Sequence, residues 1–385
     1  MGINNLYLRN VRNVIKPIGN EMVILLTGGH AGSTAYSLIE RIKKSKPLWR
    51  VIFVGAGSAF EDKKVPTLES EYFPKIGVQY IPLTSGRLQR KYSIWTIPSL
   101  MKIPVGFFQA FYILVKVHPK IIVSFGGFTA FPVVVMGKLL NIPVIIHEQT
   151  CAAGRANHFS SYFASKIALA REESRSYFKG KDCVVIGNPI SEEITKTNKK
   201  SSGKRHFSIF ITGGSRGSVV INENIKPILI KLLQKFKVYH QTGMRNYEDF
   251  LNVKKNMDGK YKDKYEVFPT TEMWNWSRYL DLSDIIVSRS GANIVSEILY
   301  LNIPSILIPI PYSFQDEQNK NANYAKKTGL AKVIKETELT PDMLYKEILL
   351  ASKNWNTIVE NVKPTMVDDG RAAEKLLNLI QEQMK

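Results

Sequence analysis

Short apolar runs alternate along the chain with longer segments of helical periodicity, and turns rich in glycine or polar residues close the runs. The runs of the first half are Met22–Leu26, Arg50–Val54, Gln79–Leu83, Lys120–Ser124, Pro143–His147, Lys166–Leu169 and Asp182–Ile186. Those of the second half are Phe207–Thr212, Phe236–His240, Tyr265–Phe268, Asp284–Ser288 and Pro304–Pro309. This alternation is typical of parallel strands that helices cover on both faces. The pattern therefore predicts an α/β protein.

The strand that opens each half is followed by the same glycine-rich turn. Ile24–Ser33 reads ILLTGGHAGS and Ile209–Ser218 reads IFITGGSRGS, so TGG, a later glycine and the final serine recur at the same offsets. A strand, glycine turn and helix form the usual opening unit of a doubly wound domain. The repeat therefore predicts two Rossmann-like domains, each with a doubly wound parallel sheet.

One segment has the composition of a linker between these domains. Ser191–His206 is polar and rich in lysine and serine, which is typical of a flexible connection. We therefore expect one domain at residues 22–190, a second at 207–367, and an amphipathic C-terminal helix at 368–385 that could pack against either. Residues 1–21 form a tail whose role the pattern does not indicate.

The stretch Asp284–Glu297 (DIIVSRSGANIVSE) joins a strand, a glycine turn and the start of a helix. Free backbone N–H groups and the positive end of the helix dipole at such a turn favour a phosphate or a polar ring. Glu297, within the first two turns of that helix, could accept hydrogen bonds from a ribose diol. The alternative is an ordinary strand, turn and helix with a glutamate on the surface.

Three glycine-rich turns follow predicted strands: TGGHAG at Thr27–Gly32, GGFTAFP at Gly126–Pro132 and TGGSRG at Thr212–Gly217. Doubly wound sheets bind ligands outside the carboxyl ends of their strands, so two such domains would form a cleft for two substrates, one carrying phosphates. Gly55–Phe60 (GAGSAF) is similar to a dinucleotide fingerprint but lacks its third glycine, which argues against an NAD enzyme.

Two titratable residues at these strand ends are candidates for acid and base chemistry. His30 lies in the first glycine turn, where it could take a proton from a sugar hydroxyl or could cap the loop. Glu148 ends another predicted strand and could orient an acceptor, help with the proton or hold the loop. No HExxH motif, CxxC pair or DxD cluster is present, so the motifs do not support a metal-dependent mechanism.

Composition and charge narrow the choice of partner. With 385 residues, 44% hydrophobic and 22% charged, the chain is globular and long enough for two domains. Its formal charge of +20 predicts an anionic partner, such as a nucleotide diphosphate, acidic lipid headgroups or nucleic acid. We expect no nucleic acid, because no helix-turn-helix or RNA-recognition signature accompanies the charge.

Cysteine usage and the lengths of the apolar runs bear on the compartment. Cys151 and Cys183 have no CxxC or metal-ligand spacing, which favours a reduced, cytoplasmic setting. The N-terminus lacks the apolar core of a signal peptide, and no apolar run reaches the roughly 18 residues that span a bilayer. We therefore expect any membrane contact to be peripheral.

Ser85–Lys116 combines basic and aromatic side chains in a way that suits a membrane surface. Basic residues attract anionic headgroups, and aromatic or aliphatic side chains enter the boundary layer. The residues predicted to make this contact are Arg87, Arg90, Lys91, Ile94, Trp95, Phe107 and Phe108. The alternative is that the apolar side chains pack inward while the basic ones are solvated.

In their order along the chain, these motifs resemble the MurG family of UDP-N-acetylglucosamine:lipid-linked muramyl-pentapeptide N-acetylglucosaminyltransferases. The similarity runs from about Met22 to the C-terminus. The matching motifs are TGGH at Thr27–His30, GGFTAFP at Gly126–Pro132, HEQ at His147–Gln149, AGRAN at Ala153–Asn157, GNP at Gly187–Pro189, GGSRG at Gly213–Gly217, SRSGANIVSE at Ser288–Glu297 and DEQNKNA at Asp316–Ala322. Several motifs in the right order are a far more specific signal than any one of them.

The resemblance implies an inverting glycosyltransferase of the GT-B fold, whose two Rossmann-like domains face across a cleft, with no obligatory metal or cofactor. It implies that the donor UDP-N-acetylglucosamine contacts Thr27, Gly28, Gly29, Thr150, Ser215, Arg216, Ala292, Asn293, Ile294, Val295, Ser296, Glu297 and Gln318. It implies an acceptor site at Gly126, Gly127, Phe128 and Thr129. His30 and Glu148 are the candidate catalytic residues, with His30 as the base on the muramyl 4-hydroxyl.

The implied acceptor is undecaprenyl-diphospho-N-acetylmuramoyl-pentapeptide, so the reaction would be the step from lipid I to lipid II in peptidoglycan synthesis, which serves cell shape and division. The implied location is the cytoplasmic face of the cell membrane, with the anionic inner membrane surface as a partner and cell-wall synthesis or division proteins as further candidates. Two alternatives stay open: a GT-B transferase for another polyprenyl-diphosphate or glycolipid acceptor, and a non-catalytic nucleotide-sugar-binding protein.

The sequence departs from the family pattern at four positions. Phe131 replaces a glycine, Thr150 an asparagine, Ser191 an arginine and Arg216 a glutamine. Ser191 removes a positive charge expected near the donor. We therefore hypothesise that the Arg216 guanidinium supplies that charge at the donor diphosphate.

Overall fold

The computed structural model of the chain describes residues 21–29, 32–58, 66–84, 86, 96–203, 207–214 and 216–385, without the side chains of 96–101. Nearly all of the N-terminal tail lies outside these ranges. The predicted site residues outside them are His30, Arg87, Arg90, Lys91, Ile94, Trp95 and Ser215.

Two sheets contain the described strands, and all hydrogen-bonded neighbours are parallel. The first has the order β3-β2-β1-β4-β5-β6-β7 and comprises β1 (Val23–Gly28), β2 (Arg50–Ala56), β3 (Gln79–Leu83), β4 (Ile121–Ser124), β5 (Val144–Glu148), β6 (Lys166–Leu169) and β7 (Cys183–Val185). The second has the order β10-β9-β8-β11-β12-β13 and comprises β8 (Ser208–Thr212), β9 (Lys237–Gln241), β10 (Tyr265–Phe268), β11 (Ile285–Ser288), β12 (Ser305–Leu307) and β13 (Ala331–Val333).

Helices and single helical turns connect these strands, as parallel pairing requires. The helices of the first half are α1 (Gly32–Ser45), α2 (Leu68–Tyr72), α3 (Thr96–Val117), α4 (Ala130–Leu139) and α5 (Arg155–Ser160). Those of the second half are α6 (Glu192–Lys196), α7 (Val219–Ile225), α8 (Leu229–Leu233), α9 (Tyr247–Asn256), α10 (Gly259–Lys262), α11 (Trp276–Leu282), α12 (Ala292–Leu301), α13 (Glu317–Lys327), α14 (Pro341–Lys353), α15 (Trp355–Glu360) and α16 (Ala372–Gln383).

In each sheet the strand order reverses between two central strands, β1 and β4 in the first and β8 and β11 in the second. The last paired residues of these strands are register partners: Thr27 with Ser124, and Thr212 with Ser288. The loops that follow therefore start side by side, at the point where doubly wound sheets bind ligands. These loops carry the TGGHAG and GGFTAFP motifs in one sheet and the TGGSRG and SRSG motifs in the other.

The predicted strands are all present, with ends that differ by at most two residues from those observed. The pattern missed β13, because an edge strand of three residues with exposed Lys332 at its centre forms no apolar run. The prediction of an α/β protein with two doubly wound parallel sheets is confirmed.

The chain divides into two compact units. The first contains the described residues up to Gln149, together with Ala153–Ser191 and Arg371–Lys385, and the second contains Thr150–Ala152 and Glu192–Gly370. Helix α16 therefore belongs to the first unit, where it packs against α1.

The segment predicted as a linker is folded over the residues that the structure describes. It begins with α6, and Lys200 is buried, with its backbone N–H donating to Leu301 O at 2.8 Å. Tyr300 Oη lies 3.2 Å from Thr195 O. Residues 192–203 therefore pack as part of the second unit.

Each sheet has its own apolar core. The first core joins strands to α3 and includes Leu25, Ile52, Ile122, Ile113 and Leu114. The second joins strands to α7 and α14 and includes Ile209, Val287, Ile221, Leu344 and Ile348. Because each sheet packs on a core of its own, the strand ends of each unit are held in place within that unit.

Candidate functional site

In the first unit, the loops after β1 and β4 touch through their backbones. The Gly29 amide donates to Gly126 O at 2.9 Å, and a Cβ on Gly127 would lie 2.8 Å from Gly29 N. Gly126 and Gly127 both have positive φ, of 82° and 88°. A side chain at Gly127 would clash with the first loop and strain the backbone, which explains the double glycine of this motif. Phe128, which follows, is partly buried.

Two buried polar atoms beside these glycines have no hydrogen-bond partner in the part of the chain that the structure describes. They are Thr129 Oγ1, which lies against Gly29, and Asn157 Oδ1, which lies against Gly126. Buried polar groups are normally paired. These two oxygens therefore indicate a position where a ligand or water completes the site.

The threonines that precede the two TGG turns are held in the sheets. Thr27 has no exposed surface and donates to Val54 O at 2.9 Å. Thr212 is also buried, and it donates to Gln241 Oε1 at 2.6 Å. Thr27 was predicted to contact the donor substrate, and its side chain instead joins β1 to β2 by a hydrogen bond. The donor contacts predicted for Gly28 and Gly29 stay predictions.

Glu148 is buried at the end of β5, where its carboxylate holds the turn that follows. Its Oε2 accepts hydrogen bonds from the Gly154 amide at 2.8 Å and from Asn157 Nδ2 at 2.9 Å, and the residue is 2% exposed. This geometry favours the interpretation in which Glu148 holds the loop over the one in which it acts as a base.

The HEQ and GNP motifs meet in the same unit. His147 Nε2 lies 3.0 Å from Gly187 O, and Thr34 Oγ1 of α1 lies 3.5 Å from Asn188 Oδ1. Gly187 has a φ of 99°, which favours glycine. The HEQ and GNP motifs, which are distant in the sequence, are therefore in contact near the carboxyl ends of the first sheet.

Helix α3 presents an exposed apolar stripe. Phe108, Phe111 and Val115 recur at helical spacing and are 76%, 47% and 38% exposed. Phe107 is partly buried and packs edge-to-face on Phe131, with ring centroids 6.1 Å apart. Of the two described aromatic residues predicted to contact a membrane, Phe108 faces outward and Phe107 packs against the protein. None of the described helices is long and apolar enough to cross a membrane.

In the second unit, the loop after β8 is packed too tightly for side chains at its glycines. A Cβ at Gly213 would lie 2.2 Å from Gly217 C, and one at Gly217 would lie 2.1 Å from Thr242 O. Gly214 and Gly217 also have positive φ, of 81° and 72°. The loop is therefore in van der Waals contact with the residues after β9. The side chain of Arg216 in this loop is exposed.

A buried polar network lies behind this loop. His240 of β9 has no exposed surface, and its Nδ1 and Nε2 each lie 3.0 Å from a partner, Tyr265 Oη and Asn222 Oδ1. Asn222 Nδ2 donates in turn to Thr242 O at 2.8 Å. Burial lowers the pKa of His240 to about 3, so the ring is neutral near pH 7. The network fixes Thr242, against which Gly217 packs.

The SRSG turn leads into α12, and its N-cap residue, Gly291, makes no side-chain cap hydrogen bond among the described residues. The residues of its first turn that keep some exposed surface are Ala292, Asn293 and Ile294. The next two, Val295 and Ser296, are buried. The donor-substrate contacts predicted for these five residues stay predictions.

Glu297 lies in the second turn of α12 and is 4% exposed. Its Oε2 accepts a hydrogen bond of 2.6 Å from Trp276 Nε1, at the start of α11. Burial raises the pKa of the Glu297 carboxyl to about 7, although the hydrogen bond from Trp276 lowers it. Glu297 is therefore a buried group that titrates near neutral pH, and the alternative of a surface glutamate is wrong.

Gln318 of α13 is joined to the SRSG turn. Ser290 Oγ donates to Gln318 O at 2.8 Å, and Gln318 Oε1 accepts from the Ile310 amide at 3.1 Å. Because the backbone occupies the amide oxygen, the NH₂ group of Gln318 is the end of the side chain that remains to donate to a ligand.

Asn321 joins the segment at Cys151 to the SRSG turn. Its Nδ2 donates to Ser290 O at 3.2 Å, and its Oδ1 accepts from the Cys151 amide at 2.9 Å. The neighbouring Thr150, predicted as a donor contact, belongs with Cys151 to the second unit. The structure thus places Thr150 in the unit that contains the SRSG turn.

Sequence reasoning missed three residues that support these arrangements: Asn157, Asn321 and Trp276. Asn157 and Asn321 stand in the AGRAN and DEQNKNA motifs, which could have identified them. Trp276 stands in no motif. No sequence signal could have identified it, because its contact with Glu297 depends on how α11 packs. Within the described ranges, no group of three or more His, Cys, Asp and Glu side chains could hold a metal ion.

Two family models match most of the chain. The glycosyltransferase family 28 N-terminal domain matches residues 23–169, and the glycosyltransferase family 28 C-terminal domain matches residues 208–377. The chain belongs to glycosyltransferase family 28. The N-terminal match spans β1 to β6 of this family 28 protein, and the C-terminal match runs from β8 into α16.

Similar curated proteins of family 28 are named UDP-N-acetylglucosamine--N-acetylmuramyl-(pentapeptide) pyrophosphoryl-undecaprenol N-acetylglucosamine transferase. One from Clostridium botulinum is 30% identical over 372 residues, covering 94% of this chain and 99% of the relative. One from Halothermothrix orenii is 31% identical over 385 residues, covering 94% of this chain and 100% of the relative. The predicted family and the prediction of a glycosyltransferase enzyme are confirmed.

Solved structures share the fold of this family 28 chain. MurG of Acinetobacter baumannii has a TM-score of 0.67 at 20% identity, covering 94% of this chain and 99% of that one. A UDP-GlcNAc 2-epimerase from Neisseria meningitidis, solved with UDP-GlcNAc, has a TM-score of 0.63 at 12% identity, covering 94% and 100%. At these identities the likeness concerns the fold alone, and the predicted GT-B fold is confirmed.

Proposed function

We propose that this family 28 protein is an inverting N-acetylglucosaminyltransferase. It moves N-acetylglucosamine from UDP-N-acetylglucosamine to the 4-hydroxyl of undecaprenyl-diphospho-N-acetylmuramoyl-pentapeptide, in peptidoglycan synthesis. The names of its relatives support both substrates. The observation that carries the proposal is that each sheet holds two glycine loops side by side where its strand order reverses, which gives each unit a place for a ligand.

The donor is assigned to the second unit. Its diphosphate lies at the GGSRG loop and at the start of α12, where the positive end of the helix dipole and the Arg216 guanidinium favour negative charge. The ribose diol meets the Glu297 carboxylate, and the sugar meets the NH₂ group of Gln318. The fixed positions of Glu297 and Gln318 around the SRSG turn support this assignment.

The acceptor diphosphate is assigned to the loop at Gly126–Thr129 in the first unit. The Thr129 hydroxyl supports this position, because it has no hydrogen-bond partner within the described ranges and can donate to a phosphate oxygen. Gly126 and Gly127 carry no side chain that would keep a ligand from the backbone. His30 is the candidate base. It follows Gly29, whose amide bonds Gly126 O.

In the reaction, the base takes the proton of the muramyl 4-hydroxyl while that oxygen attacks the anomeric carbon of N-acetylglucosamine. A new carbon–oxygen bond forms on the face opposite the nucleotide, so the anomeric centre inverts. The bond from that carbon to the β-phosphate oxygen breaks, and UDP leaves with the electron pair. Backbone amides of the glycine loop and the Arg216 guanidinium stabilise the charge on the departing UDP.

Peripheral binding to the cytoplasmic face of the cell membrane is part of the proposal. The exposed stripe of Phe108, Phe111 and Val115 on α3 and the net charge of +20 support contact with an anionic lipid surface. Cell-wall synthesis or division proteins are further candidate partners at that surface.

A transfer assay with UDP-N-acetylglucosamine and a short-chain muramyl-pentapeptide lipid tests the proposal. We expect turnover by the wild type, a loss of roughly a thousandfold in kcat for His30→Ala, and a raised donor KM for Glu297→Ala. If the folded wild type transfers no sugar to any of several lipid acceptors, the proposal is overturned. Normal turnover by His30→Ala would exclude His30 as the base and leave the reaction intact.

A further inference from the structure

We infer that Trp276 is a positioning residue for the donor, because its indole N–H holds the Glu297 carboxylate in the orientation and charge state that accept the ribose diol. This inference rests on the proposed assignment of the donor ribose to Glu297. Trp276 itself need not touch the nucleotide, since it acts through the carboxylate.

The geometry of the pair is that of a strong hydrogen bond. Trp276 Nε1 lies 2.6 Å from Glu297 Oε2, and the carboxylate is buried while the indole is partly exposed. An N–H donor to a charged acceptor at this distance is stronger than a bond between neutral groups. The bond links residues 21 positions apart, on α11 and α12.

Aromatic packing holds the indole in place. The Trp276 ring meets the Phe210 ring edge-to-face, with centroids 5.2 Å apart. Phe210 lies on β8, the strand that leads into the GGSRG loop, and its ring also stacks on Tyr279 at 5.6 Å. The N–H of Trp276 is therefore aimed at Glu297 by a rigid cluster rather than by a mobile side chain.

The charge state of Glu297 depends on this bond. Burial raises the pKa of its carboxyl to about 7, and the Trp276 bond is the cause that opposes the rise. Charged side chains on neighbouring elements have other partners: Arg278 lies over the Tyr279 ring, Glu266 accepts from Tyr279, Glu272 accepts from Asn275, and Arg289 pairs with Glu336. The indole N–H is therefore the group that keeps part of the Glu297 population ionised near pH 7.

Ionisation matters because a ribose diol brings two hydroxyl donors. An ionised carboxylate accepts both, whereas a protonated one carries a donor of its own on one oxygen. Loss of the Trp276 N–H should raise the titration midpoint of Glu297 by about one pH unit, the shift expected when one hydrogen bond to a charged group disappears. Donor affinity would then fall about fivefold at pH 7 and by less than about twofold at pH 9.

Two variants distinguish the effect of the indole N–H from the effect of the aromatic ring. Trp276→Phe removes the donor and keeps an aromatic ring against Phe210. Replacement of Trp276 by benzothienylalanine exchanges the N–H for sulfur within a bicyclic ring of the same shape, and serves if the phenylalanine variant does not fold. Tyr279→Phe is the matched control, because it removes a hydrogen bond of 2.9 Å from the same aromatic cluster to a different carboxylate, Glu266.

The experiment measures the dissociation constant of UDP-N-acetylglucosamine by calorimetry, and KM and kcat, between about pH 6 and pH 9. For either Trp276 variant we expect the ratio of donor KM to that of the wild type to fall with rising pH, with kcat nearly unchanged. In a Glu297→Gln background, removal of the N–H should add no pH dependence. The Tyr279→Phe profile should match the wild type.

Two results overturn the inference, and they differ. If the wild type binds the donor and both Trp276 variants show its pH profile, or show a defect of equal size at every pH, Trp276 does not act through Glu297 and the proposed function stands. If the folded wild type binds no UDP-N-acetylglucosamine at any pH, the proposed function fails and the inference with it.

Discussion

The side-chain amide of Asn157 donates to the buried carboxylate of Glu148 at 2.9 Å, although the two residues belong to different motifs. The bond fixes the start of α5 to the end of β5. Asn157 also lies against Gly126, in the loop assigned to the acceptor. Glu148 therefore supports the loop at Gly126–Thr129 through Asn157.

We expect Glu148→Ala to lower the free energy of unfolding by about 3 kcal/mol, because it leaves the Gly154 and Asn157 N–H groups buried without an acceptor. Glu148→Gln keeps an oxygen for these donors and should lose less than half as much, while it retains most of the transfer activity. Urea denaturation and the transfer assay measure both quantities. A well-folded Glu148→Gln variant with activity as low as that of His30→Ala would show that the carboxylate takes part in the chemistry.

We expect His240 to make the second unit sensitive to acid. Its pKa is about 3 in the folded state and near 6.5 when exposed, so the unfolded state binds the proton first as the pH falls. The contribution of His240 to the free energy of unfolding is complete above about pH 6.5. It is lost progressively toward pH 3, by roughly 2 kcal/mol at pH 5. Denaturation curves at pH 8 and pH 5 should show this loss in the wild type and not in His240→Gln. Equal losses in both would assign the acid sensitivity to other groups.

Glu297 should act on stability in the opposite direction. Its folded pKa of about 7 lies above the ordinary value of 4.5. The contribution of Glu297 to the free energy of unfolding is therefore complete below pH 4.5 and is lost as the pH rises through 7. Without donor, we expect Glu297→Gln to gain roughly 3 kcal/mol relative to the wild type between pH 4.5 and pH 8. Guanidinium denaturation of both proteins across this range measures the difference. A constant difference would mean that Glu297 is not the titrating group.

Arg216 should contribute to donor affinity if it replaces the charge absent at Ser191. We expect Arg216→Gln to raise the donor KM about tenfold at low salt with little change in kcat, and the effect should shrink as salt screens the charge. Arg278→Gln, which removes another exposed arginine of the same unit, is the control. An unchanged donor KM in Arg216→Gln would refute the compensation.

The apolar stripe of α3 should govern membrane binding. Exchange of Phe108 and Phe111 for serine removes two exposed aromatic side chains, so we expect at least a tenfold loss of binding to anionic phosphatidylglycerol vesicles in sedimentation. Activity on a soluble short-chain acceptor should be retained. Leu48→Ser, at an 87% exposed position outside α3, is the matched control. Equal binding by all three proteins would place the membrane contact elsewhere.

Sequence alone determined the α/β class, the strands with their glycine turns and the repeat that divides the chain in two. These features depend on neighbours within a few positions, since an apolar run that ends in TGG can be recognised wherever it occurs. The order of the motifs determined the family in the same way. Strand β13 was not predicted, because three residues with a central lysine form no such local pattern.

Only the tertiary structure decided which polar groups are buried and what they touch. Glu148 could hold a loop or act as a base until Gly154 and Asn157 were seen to donate to its carboxylate. Glu297 became a buried carboxylate with a pKa of about 7 only when α11 brought Trp276 against it. Burial and hydrogen-bond partners arise from the packing of segments far apart in the chain, whereas strands and turns follow from residues that are close together in it.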